Sequence, residues 1–263
     1  MNRGSQSARM AFQVRPGVEV AALSDVGCHR ENNEDRYAYW EPAGDDSFAQ
    51  RGRLAILADG MGGYEGGQEA SRIAVETIEE VYASSTEGGP RSWLVSALRA
   101  AHQRIVQQAV AQPEFGGMGT TCTAVALVGT QLYYAHVGDS RLYLARDGKI
   151  YRLTRDHSYV GRLVEQGIVS PEDAVSHPQR HILTAALGAG TEVSPESPEG
   201  PISLEPGDTI VLCTDGLWSL VSDAEIEDAL GASDLQDACA ALVDLARTRG
   251  GPDNITVQIL RLD

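Results

Sequence analysis

The stretch LAILADGMGG, residues 54–63, decides how this chain folds. Its first five residues, Leu54 to Ala58, form a short aliphatic run, and such a run is typical of a buried β-strand. The run leads straight into Asp59 and Gly60. One Asp-Gly pair after a strand favours a surface turn, because aspartate and glycine suit turn geometry. A carboxylate buried at the same place needs a partner, since an unpaired buried charge is costly.

Three more aspartates occupy comparable places in the sequence. The apolar run Thr209 to Cys213 also leads into an Asp-Gly pair at Asp215, and Asp139 follows a further strand-like run. Asp253 comes just before the last apolar run of the chain. If the strand ends converge, four carboxylates meet in one place, and like charges in one place require a cation. The pattern therefore predicts a metal site.

The ligand types indicate which metal this is. The candidate ligands are hard oxygen donors, and the sequence places no plausible His or Cys cluster with them, which favours Mg²⁺ or Mn²⁺ over Zn²⁺. Gly60 has no side chain, so its carbonyl oxygen can also approach an ion. Two divalent ions sharing a carboxylate activate water and hold the oxygens of an in-line displacement. Such a site favours phosphoryl hydrolysis.

The remaining periodicity predicts an α+β fold. Alternating or aliphatic runs predict strands at Leu54 to Ala58, Thr121 to Val128, Leu132 to Val137, Arg141 to Ala145, Ile150 to Leu153, Thr209 to Cys213 and Ile255 to Leu260. Short turn sequences between the runs from 121 to 153 describe an antiparallel meander. Helical periodicity predicts pairs of helices at Gln68 to Tyr82 and Trp93 to Val110, and at Ser222 to Leu230 and Leu235 to Arg247. Strands grouped between helix pairs indicate a sandwich.

Composition limits the function classes. The 263 residues carry 21 Lys and Arg against 37 Asp and Glu, a formal net charge of −16, which disfavours nucleic acid and anionic membranes as partners. Four scattered cysteines without a C-x-x-C pair indicate small buried thiols in a reducing cytosol. No signal peptide or membrane span is expected. Residues 1–15 are expected to be a flexible tail, and 16–263 one catalytic domain.

A polar segment near the N-terminus, SDVGCHRENNED, contains Arg30 ahead of Glu34 and Asp35. A mixed-charge segment of this kind is usually a solvated loop. If the aspartates form a metal site, the segment can instead bind phosphate, because the planar guanidinium of Arg30 can hold two phosphate oxygens at once. Asp35 can then orient water in the metal site.

The sequence resembles the bacterial metal-dependent protein phosphatases of type 2C from Ser24 to Val257. Eight blocks occur in the family's order: SDVGCHRENNED, LADGMGG, GMGTTCTA, VGDSR, TRDHSYVGRLVEQGIVSPEDA, HPQRHILTAALG, CTDGLW and GPDNITV. Each block alone is weak evidence, but eight in order are strong. The resemblance implies a four-layer αββα sandwich, in which two antiparallel sheets lie between pairs of helices.

The resemblance also assigns roles to the site residues. It implies that Asp59 bridges two Mn²⁺ or Mg²⁺ ions, that Gly60 offers its carbonyl to one, and that Asp215 and Asp253 bind the other. Asp139, with Asp215, matches the ligands of a third, weaker metal. Arg30 matches the phosphate-binding arginine, and Glu34 and Asp35 match acidic residues that act through coordinated water. The activity implied is removal of phosphate from phosphoserine and phosphothreonine in proteins, with a cognate Ser/Thr kinase as partner and a monomeric enzyme.

The segment 157–181 resembles the family's flap, and both a scaffold and a substrate gate are compatible with its apolar residues. Two departures from the family stand out. Many relatives carry a histidine in or after the D-G-x-G-G block that protonates the leaving alcohol, where this chain has Met61 and Tyr64. His157 is a remote substitute for that acid. Bacterial relatives usually have asparagine and arginine where His181 and Ala185 stand here.

Two other functions stay open at this point. A small-molecule metal phosphohydrolase shares the chemistry without the protein substrate. A non-catalytic module can keep the fold after losing its metals, although the intact set Asp59, Asp139, Asp215 and Asp253 speaks against it.

Overall fold

The structure is a computed structural model that describes residues 14–62, 65–175, 177–232 and 234–263. Its strands are β1 (Val18–Asp25), β2 (Asp35–Trp40), β3 (Arg53–Met61), β4 (Gly119–Thr120), β5 (Cys122–Val128), β6 (Gln131–Val137), β7 (Arg141–Arg146), β8 (Lys149–Arg152), β9 (Ile202–Ser203), β10 (Thr209–Cys213) and β11 (Ile255–Leu262). Its helices are α1 (Asp45–Arg51), α2 (Gly66–Ser84), α3 (Pro90–Ala111), α4 (Tyr159–Glu165), α5 (Pro171–Val175), α6 (Asp215–Trp218), α7 (Asp223–Ala229) and α8 (Leu235–Thr248). The N-terminal tail expected at 1–15 lies almost wholly outside the described residues.

Two antiparallel sheets contain the strands. The first has the order β1-β11-β10-β7-β8, and the second has the order β2-β3-β5-β6-β9, with β4 beside β3. Every strand pair within them is antiparallel. The sequence prediction of an α+β fold with two antiparallel sheets is confirmed.

Alternation along each strand builds the layers. In β3, Leu54, Ile56 and Ala58 pack toward α2 and α3, whereas Ala55 and Leu57 face the other sheet. Successive strand residues point to opposite faces, so one strand supplies both cores. Burying a leucine or isoleucine stabilises the fold by about 1.5–3 kcal/mol, which makes β3 a main contributor to stability.

The first sheet has its own helical layer. Val211 of β10 and Val257 of β11 pack with Leu242 of α8 and Ile226 of α7. Ser222 caps α7, and its hydroxyl and the Glu225 carboxylate form a capping box. The result is the four-layer αββα sandwich.

The meander expected between residues 121 and 153 is wrong. Strands β5 and β6 form a hairpin in the second sheet, while β7 and β8 form a hairpin in the first. The connection 138–140 carries the chain from one sheet to the other. The outer edge of β6 pairs instead with Glu196, through His136, and with β9. Turn sequences predict reversals of direction, but they do not show which sheet the next strand joins.

Strands β1, β2, β4 and β9 and helices α1, α4, α5 and α6 have no counterpart among the elements predicted from the sequence. In β2 only Asp35 is buried and the other five residues are half-buried, so the period-2 pattern is weak. Strand β3 is longer than expected, because pairing with β2 and β4 extends it to Met61. Asp59 and Gly60 therefore lie inside the strand rather than after it.

Two further expectations concern cysteines and membranes. Cys122, Cys213 and Cys239 are buried as expected, but Cys28 is exposed in the loop after β1. None of the helices in the described ranges is both long and apolar enough to cross a bilayer.

Candidate active site

One cavity of about 1250 Å³ opens where strands of both sheets end. Seven of the eight site residues named from the sequence line it: Arg30, Glu34, Asp59, Gly60, Asp139, Asp215 and Asp253. They come from separate segments of the chain, as the convergence argument requires. The eighth, Asp35, lies beneath the cavity.

Asp59 and Gly60 stand at the centre of the site on β3. Asp59 has the same strand parity as Ala55 and Leu57, so it points between the sheets. A side chain at Gly60 would meet the backbone at once, because a Cβ there would lie 2.1 Å from the carbonyl oxygen of Gly67. Glycine is therefore the residue that allows β3 to approach the start of α2 at this point.

Asp35 faces Asp59 across the β2–β3 pair. It is 2% exposed, and its Oδ2 accepts hydrogen bonds from Thr214 Oγ1 at 3.0 Å and Thr256 Oγ1 at 2.6 Å. Its other oxygen, Oδ1, is buried and has no hydrogen-bond partner within the described part of the chain. A buried carboxylate oxygen without a donor is unusual and fits a site that receives a cation or water.

The carboxylates raise one another's proton affinity. Burial, reinforced by Asp35, Asp215, Asp139 and Asp253, holds the pKa of Asp59 well above its usual value. Burial likewise raises the pKa of Asp35 to about 7, although the two threonine hydrogen bonds oppose the shift. Burial, with the neighbouring negative charges added to it, therefore favours protonation of these carboxyl groups when no cation compensates them.

Asp139 lies in the crossing between the sheets. It is 5% exposed, and burial and the charge of Asp215 raise its pKa. Trp218 Nε1 donates to the Asp139 carbonyl oxygen at 2.9 Å. The backbone of this connection is thus tied to α6, the helix that begins at Asp215.

Asp215 begins α6, rather than standing in a turn after β10. Its neighbour Gly216 packs against the backbone of Asn254, because a Cβ at Gly216 would lie 1.9 Å from the Asn254 carbonyl oxygen. The close approach brings the start of α6 next to the segment that carries Asp253. The absence of a side chain at Gly216 allows the backbones of α6 and Asn254 to come this close.

Asn254 is a site residue that the sequence argument did not single out. Its Oδ1 accepts from the backbone N–H of Glu34 at 2.8 Å, and its Nδ2 donates to the carbonyls of Val26 and Asn32 at 2.9 Å each. It therefore holds the loop that carries Arg30 against the Asp253 segment. The signal was present in the block GPDNITV, but asparagine in a loop is a common turn residue.

Arg30 forms an ion pair with Asp253, with Nη2 2.7 Å from Oδ2. The guanidinium is 51% exposed and lines the cavity, so this contact is open to exchange with a ligand. Hydrogen bonding to Asp253 raises the pKa of Arg30. Burial raises the pKa of the neighbouring Glu34, although the charge of Arg30 opposes the shift.

The donor set fits a hard divalent cation. The converging groups are carboxylate oxygens and the Gly60 backbone, which suit Mg²⁺ and Mn²⁺. Of the five aspartates, those at 35, 59 and 139 have no basic side chain within 4.0 Å among the described residues. Their charge is left for a bound cation to neutralise.

The sequence offered two locations for a general acid, the D-G-x-G-G block with Met61 and Tyr64, and His157. Met61 is half-buried on the cavity wall, and Tyr64 lies outside the described residues. His157 also lines the cavity, but its Nδ1 accepts from the backbone N–H of Gly138 at 3.2 Å, and its Nε2 is 3.4 Å from Glu196 Oε2. Both ring nitrogens face protein groups, which indicates a structural role for this histidine.

Part of the flap segment, 157–181, forms the outer wall of the cavity. Val160 of α4 is buried, whereas Ile168 is 65% exposed. Arg180 lines the cavity, and its Nε is buried with no acceptor in the described ranges. His181 Nδ1 is 3.9 Å from Asp215 Oδ2, so the end of the flap reaches the carboxylate cluster.

An αββα sandwich with clustered oxygen donors at one end of its sheets defines a metal-dependent hydrolase. Residues 29–252 match the family model described as Protein phosphatase 2C. The chain belongs to the protein phosphatase 2C family.

Named relatives support this membership. The protein phosphatase PhpP of Streptococcus pneumoniae is 37% identical over 252 residues, which cover 94% of this chain and 98% of PhpP. The serine/threonine protein phosphatase PstP of Mycobacterium tuberculosis is 39% identical over 242 residues, but these cover 92% of this chain and only 44% of PstP. PstP is therefore a much longer protein than the region it shares with this chain.

Solved structures show the same fold. The serine/threonine phosphatase of S. agalactiae superposes with a TM-score of 0.84 at 37% identity, covering 94% of this chain and all of that one. The catalytic domain of PstP in complex with two manganese ions superposes with a TM-score of 0.80 at 36% identity, covering 94% of this chain and 99% of that one. The manganese complex of a relative supports dependence on a divalent metal in this family.

Proposed function

We propose that this chain hydrolyses phosphoserine and phosphothreonine in other proteins, using water activated by divalent metal ions. The observation that carries the proposal is the convergence of Asp59, Asp139, Asp215 and Asp253 with Arg30 on one cavity. An all-oxygen cluster beside an arginine suits a phosphate ester, because it serves both the metal and the anionic substrate. Membership of the protein phosphatase 2C family supports a protein substrate.

The aspartates are proposed as the metal ligands. In this proposal Asp59 would be shared by two ions, with the Gly60 carbonyl on one of them, and Asp215 and Asp253 would bind the other. Asp139 and Asp215 together suit a third, weaker ion. Bound Mg²⁺ or Mn²⁺ supplies a nucleophile at neutral pH and a clamp on the phosphoryl oxygens.

Arg30 is proposed to bind the phosphoryl group. Its fork-shaped guanidinium can donate two parallel hydrogen bonds to phosphate oxygens. In the structure it donates to Asp253 instead, at 2.7 Å. The contact with Asp253 keeps Arg30 near the reacting group before substrate arrives. Substrate binding then replaces this carboxylate contact with contacts to phosphate oxygens.

Asp35 and Glu34 are proposed to act through water. Asp35 is pinned by two threonine hydroxyls and lies beneath the cavity, where its second oxygen has no partner in the described chain. Glu34 is held through its backbone by Asn254 and lines the cavity. Both carboxylates can orient water molecules without contacting the substrate themselves.

The leaving alcohol needs a proton, and the family's usual histidine is replaced here by Met61 or Tyr64. We propose that water in the cavity delivers this proton. General acid catalysis is worth about 10²–10⁴-fold, so its absence slows turnover without abolishing it.

A cognate Ser/Thr kinase, a cytosolic location and a monomeric state are proposed for the biological setting. The support is indirect. The strongly acidic composition disfavours nucleic acid and anionic membrane surfaces, and three buried thiols suit a reducing compartment.

The test is a metal-titrated assay of the purified chain on a phosphothreonine peptide and on a panel of phosphorylated metabolites. We expect Mn²⁺- or Mg²⁺-dependent release of phosphate, with a higher kcat/KM for the peptide. A preference for metabolites would establish a small-molecule phosphohydrolase instead. Absence of metal-dependent turnover on every phosphoester would establish a non-catalytic module of the same fold.

A further inference from the structure

Gly138, the residue before Asp139, is held at both of its backbone polar groups by one histidine. The backbone N–H of His157 donates to the Gly138 carbonyl oxygen at 2.7 Å. The Gly138 N–H donates in return to His157 Nδ1 at 3.2 Å. Two hydrogen bonds with His157, one donated and one accepted, therefore fix the backbone of Gly138 on both sides of its Cα.

These contacts indicate which nitrogen of the neutral His157 ring carries the proton. Because Gly138 N–H can only donate, Nδ1 of His157 must accept, and the ring proton of the neutral form lies on Nε2. Nε2 is 3.4 Å from Glu196 Oε2. Glu196 is itself anchored, since it exchanges two backbone hydrogen bonds with His136 at 2.8 and 2.9 Å. Glu196 is therefore placed to select the tautomer that holds Gly138.

The cluster of His136, His157 and Glu196 has the composition of a metal site, but its hydrogen bonds oppose that function. His136 Nε2 lies 3.0 Å from the carbonyl of Gly138 and 3.1 Å from that of Arg155, and carbonyls only accept, so Nε2 carries a proton. Its Nδ1 contacts the Thr123 hydroxyl at 2.9 Å. Burial lowers the pKa of His136 to about 4, which agrees with a neutral ring. Both ring nitrogens of His136 therefore already have protein partners. His136, His157 and Glu196 form a hydrogen-bonded bracket around Gly138.

The bracket acts on a backbone that has little freedom to shift. Gly138 has φ +114°, and a Cβ there would lie 2.5 Å from Cβ of Thr121. Thr121 also holds Asp59, whose N–H donates to Thr121 Oγ1 at 3.1 Å and whose carbonyl accepts from Thr121 N–H at 2.8 Å. The position of Gly138 therefore sets Asp139 relative to Asp59.

His157 also forms the first contact of the flap with the rest of the chain. Its carbonyl accepts from Thr184 N–H at 2.8 Å, and the N–H of Tyr159 donates to the carbonyl of Ile182 at 2.7 Å. The start of the flap is therefore hydrogen-bonded to the segment that follows the flap. His157 links this contact to the connection that carries Asp139.

We propose that His157, oriented by Glu196, is a positioning residue that holds Asp139 where it binds a divalent cation. The inference rests on the proposed function for the role of Asp139, and extends it to residues that touch neither metal nor substrate. Residues that orient metal ligands typically change metal affinity by 10–100-fold when they are replaced.

The experiment measures Mg²⁺ binding to metal-free protein by calorimetry, without substrate. Asp139→Asn identifies the binding step that depends on Asp139. His157→Ala is expected to weaken that same step about 10–100-fold. His157→Asn keeps an acceptor oxygen near the position of Nδ1, and it is expected to restore most of the affinity. Glu196→Gln is expected to lie between wild type and His157→Ala.

His102 provides a matched control. It is 3% exposed, and its Nδ1 accepts from the Gly188 N–H at 3.1 Å, so it makes the same kind of contact away from Asp139. His102→Ala is expected to lower the Tm while leaving the Asp139-dependent Mg²⁺ step unchanged.

Three results would overturn the proposal: an unchanged Asp139-dependent step in folded His157→Ala, no Mg²⁺ step lost in Asp139→Asn, or the same loss of affinity in His102→Ala. If His157→Ala folds, wild-type affinity in Glu196→Gln would overturn orientation by Glu196. If His157→Ala does not fold, Glu196→Gln decides: weakened binding in the Asp139-dependent step would support the proposal, and wild-type affinity would overturn it. Because binding is measured without turnover, these results are independent of whether the chain dephosphorylates a peptide.

Discussion

Asp35 lies directly opposite Asp59 in the antiparallel pairing of β2 with β3. Like charges at directly opposed positions of a sheet are destabilising. The pair nevertheless lies at the centre of the site, and Asp35 accepts both of its side-chain hydrogen bonds at Oδ2. Its Oδ1 has no partner within the described residues. The arrangement is favourable once a divalent cation lies beside it, and this relationship underlies the first two predictions.

Asp59→Asn is expected to lower kcat on the order of 10³-fold, as for loss of a principal electrostatic group. The same change is expected to raise the Tm of the metal-free protein, because a neutral amide avoids the cost of burying a carboxyl group among other carboxylates. Phosphopeptide turnover and thermal unfolding in a chelator measure the two effects. Retained turnover in Asp59→Asn would contradict the bridging role.

The metal-free protein is expected to lose stability as pH rises. The pKa of Asp35 is about 7 in the fold against 3.8 for the ordinary group, so the native state holds the extra proton. The stability it contributes is present at low pH and is lost as pH rises through about 7. The check is Tm in a chelator between pH 5 and 8, compared with Asp35→Asn, which should flatten this slope. Equal slopes for the two proteins would refute the prediction.

Arg30→Ala is expected to lower kcat/KM for a phosphopeptide about 10–100-fold, mainly through KM, since charged hydrogen bonds are worth about 1.5–3 kcal/mol. Inhibition by inorganic phosphate should weaken in parallel. Arg99→Ala is the control, because Arg99 is exposed on α3 and makes no ion pair within the described residues. Unchanged inhibition by phosphate in Arg30→Ala would speak against phosphate binding at this residue.

Gly60→Ala is expected to destabilise the protein by about 1–3 kcal/mol, as overpacking does, and to abolish Mg²⁺ binding. The cause is the backbone contact, since the new methyl group would lie 2.1 Å from the Gly67 carbonyl oxygen. Gly44→Ala is the control, because nothing lies within 4 Å of a Cβ at Gly44. Denaturant unfolding and calorimetry measure both. A Gly60→Ala protein with wild-type stability would show that β3 and α2 can move apart.

Much of the fold was predictable where one face of an element is uniformly apolar. The helices α2 and α8 and the strands β3, β5 and β10 have such faces, and their existence follows from periodicity. Strand β2 was not predictable in this way, because its residues are mostly half-buried. Neighbouring strands determine its pairing, and a single segment carries no record of them.

The site divides in the same manner. Asp59 and Asp215 could be identified from the sequence because each follows an apolar run. Thr214 and Thr256, which hold Asp35, could not be singled out, because a threonine within a strand or directly after one is ordinary in sequence. The hydrogen bonds that give these residues a role join positions more than 170 residues apart.

The sequence by itself determined the class of fold and predicted a divalent-metal site with its candidate residues, because periodicity and side-chain type are local properties. Only the tertiary structure decided that β6 and β7 belong to different sheets, that Asp35 faces Asp59, and that His157 holds the peptide before Asp139. These relationships depend on which distant segments meet. That choice is made by the packing of two sheets against each other, which no single stretch of sequence specifies.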